Sequence, residues 1–313
     1  MTQIEYPLVT IVTPTFNQSK FVAETIESVL AQTYPNIEYI VLDDGSTDDT
    51  KQVLATYAER AIIESQQNLG QARTLNKGWG MARGKYLAYL SSDDLIYPHA
   101  IERLIGILEA DSGVVCAFPN SDLIDVHSRV IKRNICKPFD FEDLVVRQEC
   151  YIGPGAVFRR DAFEAVGGWC PKLKLAPDRE FWIRLASRGR FEFCADTLAG
   201  YRMHPKSISY KDVSEVVGRE YIWVLDQYFD APGAQPLPSI LARRNEAYGY
   251  AMLILARNCL RAGLLRRGLA LYKDACRLHP PLSGLPVRMR LLRNVISKPV
   301  RATLARARSV LRI

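Results

Sequence analysis

The sequence predicts an α/β protein: a doubly wound, mostly parallel sheet with helices on both faces over residues 1–210, then a helical, basic extension over 211–313. Three observations carry this. Short apolar, β-rich runs alternate with stretches whose apolar residues recur at helical spacing. Several of those runs stop abruptly at acids or hydroxyl residues, as buried strands do at the ligand-binding edge of an open parallel sheet. From about residue 211 the strand-like runs cease and helical spacing takes over.

The elements follow in order. Leu8–Thr13 is a continuous β-rich run broken by Pro14 and a polar turn at Asn17-Gln18-Ser19. Phe21, Ile26, Val29 and Leu30 then fall at helical spacing, with Ser19 as N-cap. Ile37–Leu42 is a second buried strand, leading through the acidic turn Asp43–Thr50 into a helix that reaches about Tyr57. A third strand is expected at Ala61–Glu64 and a helix at Leu69–Ala82. Tyr86–Leu90 is the next strand, followed by a helix over Leu95–Leu108 and a strand at Val114–Phe118. Residues 121–143 read as an irregular strand and a loop. Ile152–Phe163 reads as a turn, a strand and the start of a helix, Gly167-Gly168-Trp169 as a tight turn exposing an aromatic face, and Pro177 as a helix start. Short strands follow at Phe191–Phe193 and Ala199–His204. In the extension, helices are expected at Val213–Tyr228, Leu237–Ala262 and Leu264–Leu278, with Gly263 between the last two and Pro280-Pro281 ending the pair.

Composition narrows the function. With 48% hydrophobic and 24% charged residues the chain is ordinary for a soluble protein, and no apolar run reaches the roughly 18 residues of a membrane span; Ala251–Ala256 is cut by Arg257. Seven cysteines without a C-x-x-C pair, and no leader-like N-terminal stretch, lead to the expectation of a reducing, cytoplasmic setting. The net charge of +7 is uneven: residues 1–210 hold 23 Lys/Arg and 27 Asp/Glu, residues 211–313 hold 18 and 7. That argues against a nucleic-acid groove in the main domain. Residues 284–313 carry eight Lys/Arg and no acid, with Val287, Leu291 and Val295 among loosely spaced apolar positions. Such a segment fits peripheral contact with an anionic membrane at its cytoplasmic face, a packed helix with a solvated basic side, or a disordered tail.

Two strands end in paired aspartates, Asp43-Asp44 and Asp93-Asp94, and parallel strands bring such ends to one edge. Adjacent carboxylates repel unless a cation or a proton lies between them, which points to a divalent metal and a phosphorylated ligand. The plain alternative is an Asp-capped helix after each strand. No Gly-x-Gly-x-x-Gly follows the first strand and no Gly-Lys-Ser/Thr loop is present, so neither a dinucleotide cradle nor a P-loop supplies the phosphate site.

Val9–Asn17, Ile40–Asp48 and Gly84–Asp94, taken in order and spacing, resemble the successive signatures of family 2 glycosyltransferases over roughly residues 7–210. The resemblance implies a GT-A fold, a nucleotide-sugar donor (a UDP-sugar favoured), Mn²⁺ or Mg²⁺, and transfer to a hydroxyl acceptor with inversion at the anomeric carbon, in surface polysaccharide or glycolipid assembly. Thr13, Thr15 and Asp44 match positions bordering the donor base and ribose, with Asp44 accepting the base imide N–H. Asn68–Arg73 matches an Asn-x-Gly segment in which Arg73 faces the donor phosphates or ribose, or else lies on a solvated helix face. The usual Asp-x-Asp is Ser91-Ser92-Asp93 here, followed by Asp94. Ser91 and Ser92 join the donor site; Asp93 takes the metal position, and a one-residue shift gives that role to Asp94. Gly155, in a segment resembling the floor of the acceptor site, and Trp169 are the acceptor contacts, with a core role the alternative for Trp169.

Asp178 matches the general base in an acid-acid segment whose first acid is Pro177 here. The chemistry asks for one base, because the acceptor hydroxyl must lose its proton as it attacks. Asp178 is also an ordinary helix-start acid. Tyr201-Arg202-Met203-His204 matches the closing motif, in which His204 touches metal or diphosphate and Arg202 and Lys206 add positive charge. Ser91 and Pro177, standing where the family carries acids, keep open a second reading: a catalytically silent module that binds nucleotide sugar or a partner protein.

Overall fold

The computed structural model describes residues 6–204, 207 and 215–292. They form two compact units: one from the described residues up to 141 and from 150 to 204, the other from 142–149 and the described residues beyond 211.

In the first unit, β1 (Val9–Thr15), β2 (Ile37–Asp43), β3 (Ile62–Ser65) and β4 (Tyr86–Tyr89) are mutually parallel, in the order β3-β2-β1-β4. Their connections are α1 (Val22–Leu30), α2 (Thr50–Ala55) and α3 (Gln71–Met81). β1 is buried along its whole length, which is why it reads as an unbroken apolar run rather than an alternating one. On one face Val9, Ile11, Val41, Tyr86 and Ala88 pack with Val22 and Ile26 of α1 and with Leu104 and Leu108 of α4 (Ala100–Ala110).

Beyond β4 the sheet turns mixed. β8 (Val157–Arg159) lies antiparallel between β4 and β6 (Val114–Ile124), β6 runs parallel to β9 (Arg190–Arg202), and β5 (Leu95–Ile96) closes the edge antiparallel to β9. Three expectations change here. Leu95 and Ile96 belong to a strand, and the following helix begins only at Ala100. The two short strands expected between Phe191 and His204 are one strand, registered against β6 through several irregular steps. β6 itself continues to Ile124, where β7 (Val130–Lys132) folds back on it.

An aromatic cluster fixes the helices beneath β8. Trp79 of α3 stacks on Phe181 of α7 (Pro177–Leu185) at 5.7 Å, and Phe181 lies 5.3 Å from Phe158 of β8. Phe163 of α6 (Arg160–Val166) joins them, 5.2 Å from Trp79.

Among its described residues the second unit contains α5 (Phe141–Val145) from Glu142 onward, then α8 (Glu215–Gly218), α9 (Glu220–Asp230), α10 (Pro238–Leu241), α11 (Arg244–Arg261) and α12 (Leu265–Leu278), and a helix over 285–292. Leu255, Ala256 and Cys259 of α11 pack on Leu271 of α12. Two expected long helices are therefore broken, near Arg219 and at Ala242-Arg243. No helix among the described residues is long and apolar enough to cross a membrane. Val295 and the rest of the basic segment from 293 to 313 lie outside the described residues, as does Lys206.

Candidate active site

The carboxyl ends of β1, β2 and β4 share one edge, and the expected site residues can be placed along it strand by strand. After β4, Ser91 is half-buried and its carbonyl accepts the Asp94 N–H at 3.0 Å, closing a tight turn; Ser92 is buried. This turn sends the two acids in different directions. Asp94 is buried, its Oδ1 accepting the Arg202 backbone N–H at 2.8 Å while its carbonyl accepts the Thr25 hydroxyl at 2.9 Å. Burial, then the neighbouring Asp93 charge, pushes the Asp94 carboxyl well above the usual carboxylate range. Asp93 keeps a side chain 17% exposed, and its Oδ2 lies 2.8 Å from Nε2 of the buried His204. The His204 ring is fixed against Phe21, 4.8 Å between centroids.

Arg202 does not face this edge. It is 1% exposed, donates to the Asp93 carbonyl at 2.7 Å and to the Asp125 carbonyl at 3.1 Å, and pairs with Glu24 at 2.7 Å. Its guanidinium is taken up in joining β9, α1 and the 125–128 turn, so it holds the Asp93 turn in place and does not offer charge to a diphosphate. Sequence reasoning missed that tie because Glu24 looks like an ordinary helix-surface acid.

At the end of β2, Asp43 accepts the Ser46 N–H at 3.0 Å, and its other oxygen stands 3.9 Å from Lys51 Nζ. It braces the local turn, and α2 begins only later, at Thr50. Asp44 accepts the Leu69 and Gly70 N–H groups, both at 2.8 Å, and Gln66 Nε2 at 3.0 Å. Gly70 sits at φ 88, a left-handed conformation suited to glycine, and places its N–H on that carboxylate just before α3. Arg73, in the first turn of α3, is exposed.

The two threonines of β1 part company. The Thr13 hydroxyl lies 3.0 Å from Tyr39 Oη and is buried, so its side chain is taken up within the sheet. Thr15 is at the strand end, where its Oγ1 is buried with no hydrogen-bond partner among the described residues.

Asp178 occupies the first turn of α7, half-buried, where Pro177 pre-sets the helix start. Burial raises its carboxyl above the ordinary value, against the opposing pull of Arg179 and of the backbone N–H groups at the helix start. The Tyr89 hydroxyl, at the end of β4, is within electrostatic reach of both Asp178 and Asp94. Tyr89 thus links the start of α7 with the end of β4. It was missed because it reads as one more residue of the apolar run.

Of the two expected acceptor contacts, Trp169 takes the core position given as its alternative and Gly155 is buried at a close approach. Trp169 is 3% exposed and packs on Tyr89 at 5.0 Å and Trp79 at 6.1 Å, so its ring is core and offers no open face to a sugar. Its backbone is pinned by Asn76 at 2.8 Å in both directions, and Arg184 Nη2 holds the preceding Gly168 carbonyl at 2.7 Å. Its Nε1 is buried with no partner among the described residues. Gly155, at φ 80, is buried, and a Cβ there would lie 2.8 Å from Ile96; close approach to β5 explains the glycine without a ligand.

No group of three or more His, Cys, Asp or Glu side chains is gathered among the described residues. Asp93 and His204 are a two-residue set. A divalent cation held there would take the Asp93 carboxylate and complete its shell with substrate phosphates and water, with His204 beside it.

The sheet, the acids along its edge and the C-terminal helices together define the GT-A class of glycosyltransferases. Residues 10–167 match the model of Glycosyl transferase family 2, and the chain belongs to that family. An uncharacterised glycosyltransferase of Rickettsia prowazekii is 29% identical over 224 residues, 69% of this chain and 70% of that one. Chondroitin synthase of Escherichia coli is 29% identical over 209 residues, 66% of this chain but 30% of the synthase. Among solved structures, S. aureus TarS 1–349 in complex with UDP-GlcNAc superposes with a TM-score of 0.62 at 15% identity, covering 88% of this chain and 91% of that one. Mannosyltransferase PcManGT from Pyrobaculum calidifontis, in complex with GDP-Man and Mn²⁺, gives 0.60 at 19% identity, covering 95% and 87%. These two likenesses bear on the fold.

Proposed function

We propose that this glycosyltransferase moves a sugar from a nucleoside diphosphate donor to a glycan or lipid-linked glycan hydroxyl by a single inverting displacement. The observation that carries the reading is the division of labour at the end of β4: Asp94 is turned into the protein while Asp93 stays partly open beside His204. Asp93 and His204 would hold Mn²⁺ or Mg²⁺, which when bound supplies charge neutralisation for the departing diphosphate. Asp44 has taken three donors on a carboxylate with about four lone-pair sites. It clamps the 66–70 loop and keeps one acceptor site for a base imide N–H. Thr15 Oγ1, Ser91 and Arg73 line the donor side; Ser91 replaces a carboxylate with a hydroxyl that can donate to a ribose oxygen. A UDP-sugar is the first donor to test, with GDP next.

Asp178 is the base. The acceptor O–H gives its proton to the Asp178 carboxylate as the acceptor oxygen bonds to the anomeric carbon. The bond from that carbon to the diphosphate oxygen breaks, and the nucleoside diphosphate leaves with the electron pair. A carboxylate whose pKa is raised by burial is a better proton acceptor than an exposed one.

Asp178→Asn keeps the shape and removes the base. Transfer should fall by about 10²–10⁴-fold with donor affinity nearly unchanged, measured by turnover alongside titration of the diphosphate. Wild-type turnover in that variant would refute the assignment, and donor binding with no turnover in the wild type across a broad acceptor set would favour a silent binding module. The sign of the pH effect follows from the raised pKa. Transfer should rise with pH through an acid limb lying above about 3.9, the ordinary Asp value. The stability contribution of the same group should fall over that window, because the native state holds the proton longer than the unfolded chain does.

A further inference from the structure

The turn and returning strand of the β6–β7 hairpin are firmly fastened, yet their own side chains lie in solvent. The Asp125 N–H donates to the Arg129 carbonyl at 2.9 Å, and Asp125 Oδ1 accepts the His127 and Arg129 N–H groups at 2.8 and 3.0 Å. The buried Arg202 donates to the Asp125 carbonyl at 3.1 Å and to Ser128 Oγ at 2.9 Å. After β7, the Asn134 N–H meets Asp122 at 3.1 Å and the Ile135 N–H meets the Ser121 carbonyl at 2.9 Å. Residues 126, 127 and 129–134 are nevertheless exposed. Arg202 also donates to the Asp93 carbonyl, so one buried guanidinium ties this hairpin to the turn at the end of β4.

The hairpin presents two kinds of side chain. Val126, Val130 and Ile131 are 41%, 43% and 52% exposed. All three residues of β7 are exposed, and one extra residue on it stands opposite the step from Leu123 to Ile124. Such a bulge breaks the strict alternation of faces and re-aims a side chain at a sheet edge. Arg129, Lys132 and Arg133 lie among these apolar positions, and residues 126–134 hold no acid. None of the three makes an ion pair among the described residues. The acids at hand are committed: Asp125 first of all to backbone N–H groups, with the Arg129 and His127 charges acting on it less, and Glu24 to Arg202 and Ser128. Charge alone would blunt an edge strand against pairing. Exposed Val130 and Ile131 work against that protection, so blunting does not account for them.

We propose that this hairpin docks on an anionic phospholipid surface, with Val126, Val130 and Ile131 entering the headgroup–acyl boundary and Arg129, Lys132 and Arg133 among the lipid phosphates. Charge complementarity selects the occupant: basic side chains whose stems run beside apolar ones match a surface that is negative outside and apolar within. Through Arg202 the docked hairpin holds the Asp93 turn near the bilayer. The binding does not depend on sugar transfer, so its failure would leave the catalytic reading intact.

The test is sedimentation of the full chain with phosphatidylcholine vesicles, with and without phosphatidylglycerol. Binding should need the anionic lipid and fall as salt rises. Arg129→Gln, Lys132→Gln and Arg133→Gln should each weaken it about fivefold. Val130→Ser with Ile131→Ser, at exposed positions that folding does not need, should weaken it as well. Ile131→Trp should add tryptophan emission that brominated phospholipid quenches, a readout that basic residues elsewhere in the chain do not move. Equal binding to neutral vesicles, unchanged binding in either set of hairpin variants, or no added quenching in Ile131→Trp would overturn the proposal. Retention on heparin without any vesicle binding would make the hairpin a surface for anionic glycan and overturn the lipid assignment.

Discussion

The two strand-end acid pairs look alike in sequence and are used differently. After β2, both acids are committed to the backbone: Asp43 to the Ser46 turn, Asp44 to the 66–70 loop. After β4, only Asp94 is so committed, through the Arg202 N–H, while Asp93 meets a histidine and keeps part of its surface open. The tight turn from Ser91 to Asp94 sends the two acids of the second pair to different sides. What decides the second pair is the end of β9, more than a hundred residues away, which brings the Arg202 N–H to Asp94 and, just beyond the strand, His204 to Asp93.

Substitutions can break this comparison. Asp44→Ala should show the largest loss of stability, about 2–4 kcal/mol in chemical denaturation, because it strands two backbone N–H groups and Gln66 that now share one buried carboxylate. Little change there would mean that the loop refolds around the gap and that Asp44 is not its clamp. Asp94→Asn should be milder, within about 1 kcal/mol, since a carboxyl already pushed toward its neutral form resembles an amide and the Arg202 N–H keeps its acceptor. A loss as large as that of Asp44→Ala would show that Asp94 works as a charged group.

The parallel half of the fold was legible because β1, β2 and β4 are buried almost throughout and end at turns. The mixed half was harder to read. Leu95-Ile96 is too short to register as a strand without its partner on β9, and the long β9 is masked by irregular register steps against β6. At the site, the position of Asp178 at the start of α7 follows from Pro177, but whether Asp93 or Asp94 faces outward depends on the one turn closed by Ser91. Trp169 stood open between an exposed and a core role for a related reason: a Gly-Gly-Trp turn predicts exposure, whereas Asn76 and Arg184, remote in the chain, draw it inward. Local chemistry marked the edge of the sheet, and long-range hydrogen bonds assigned the individual side chains.

The most direct test of the account is calorimetric titration of UDP and GDP, each with and without Mn²⁺, into the wild type and Asp93→Ala. One diphosphate should bind in a metal-dependent way to the wild type and lose roughly 10- to 100-fold in affinity when Asp93 is removed. Metal-independent binding, or equal affinity in Asp93→Ala, would contradict the claim that the open member of the β4 pair holds the ion.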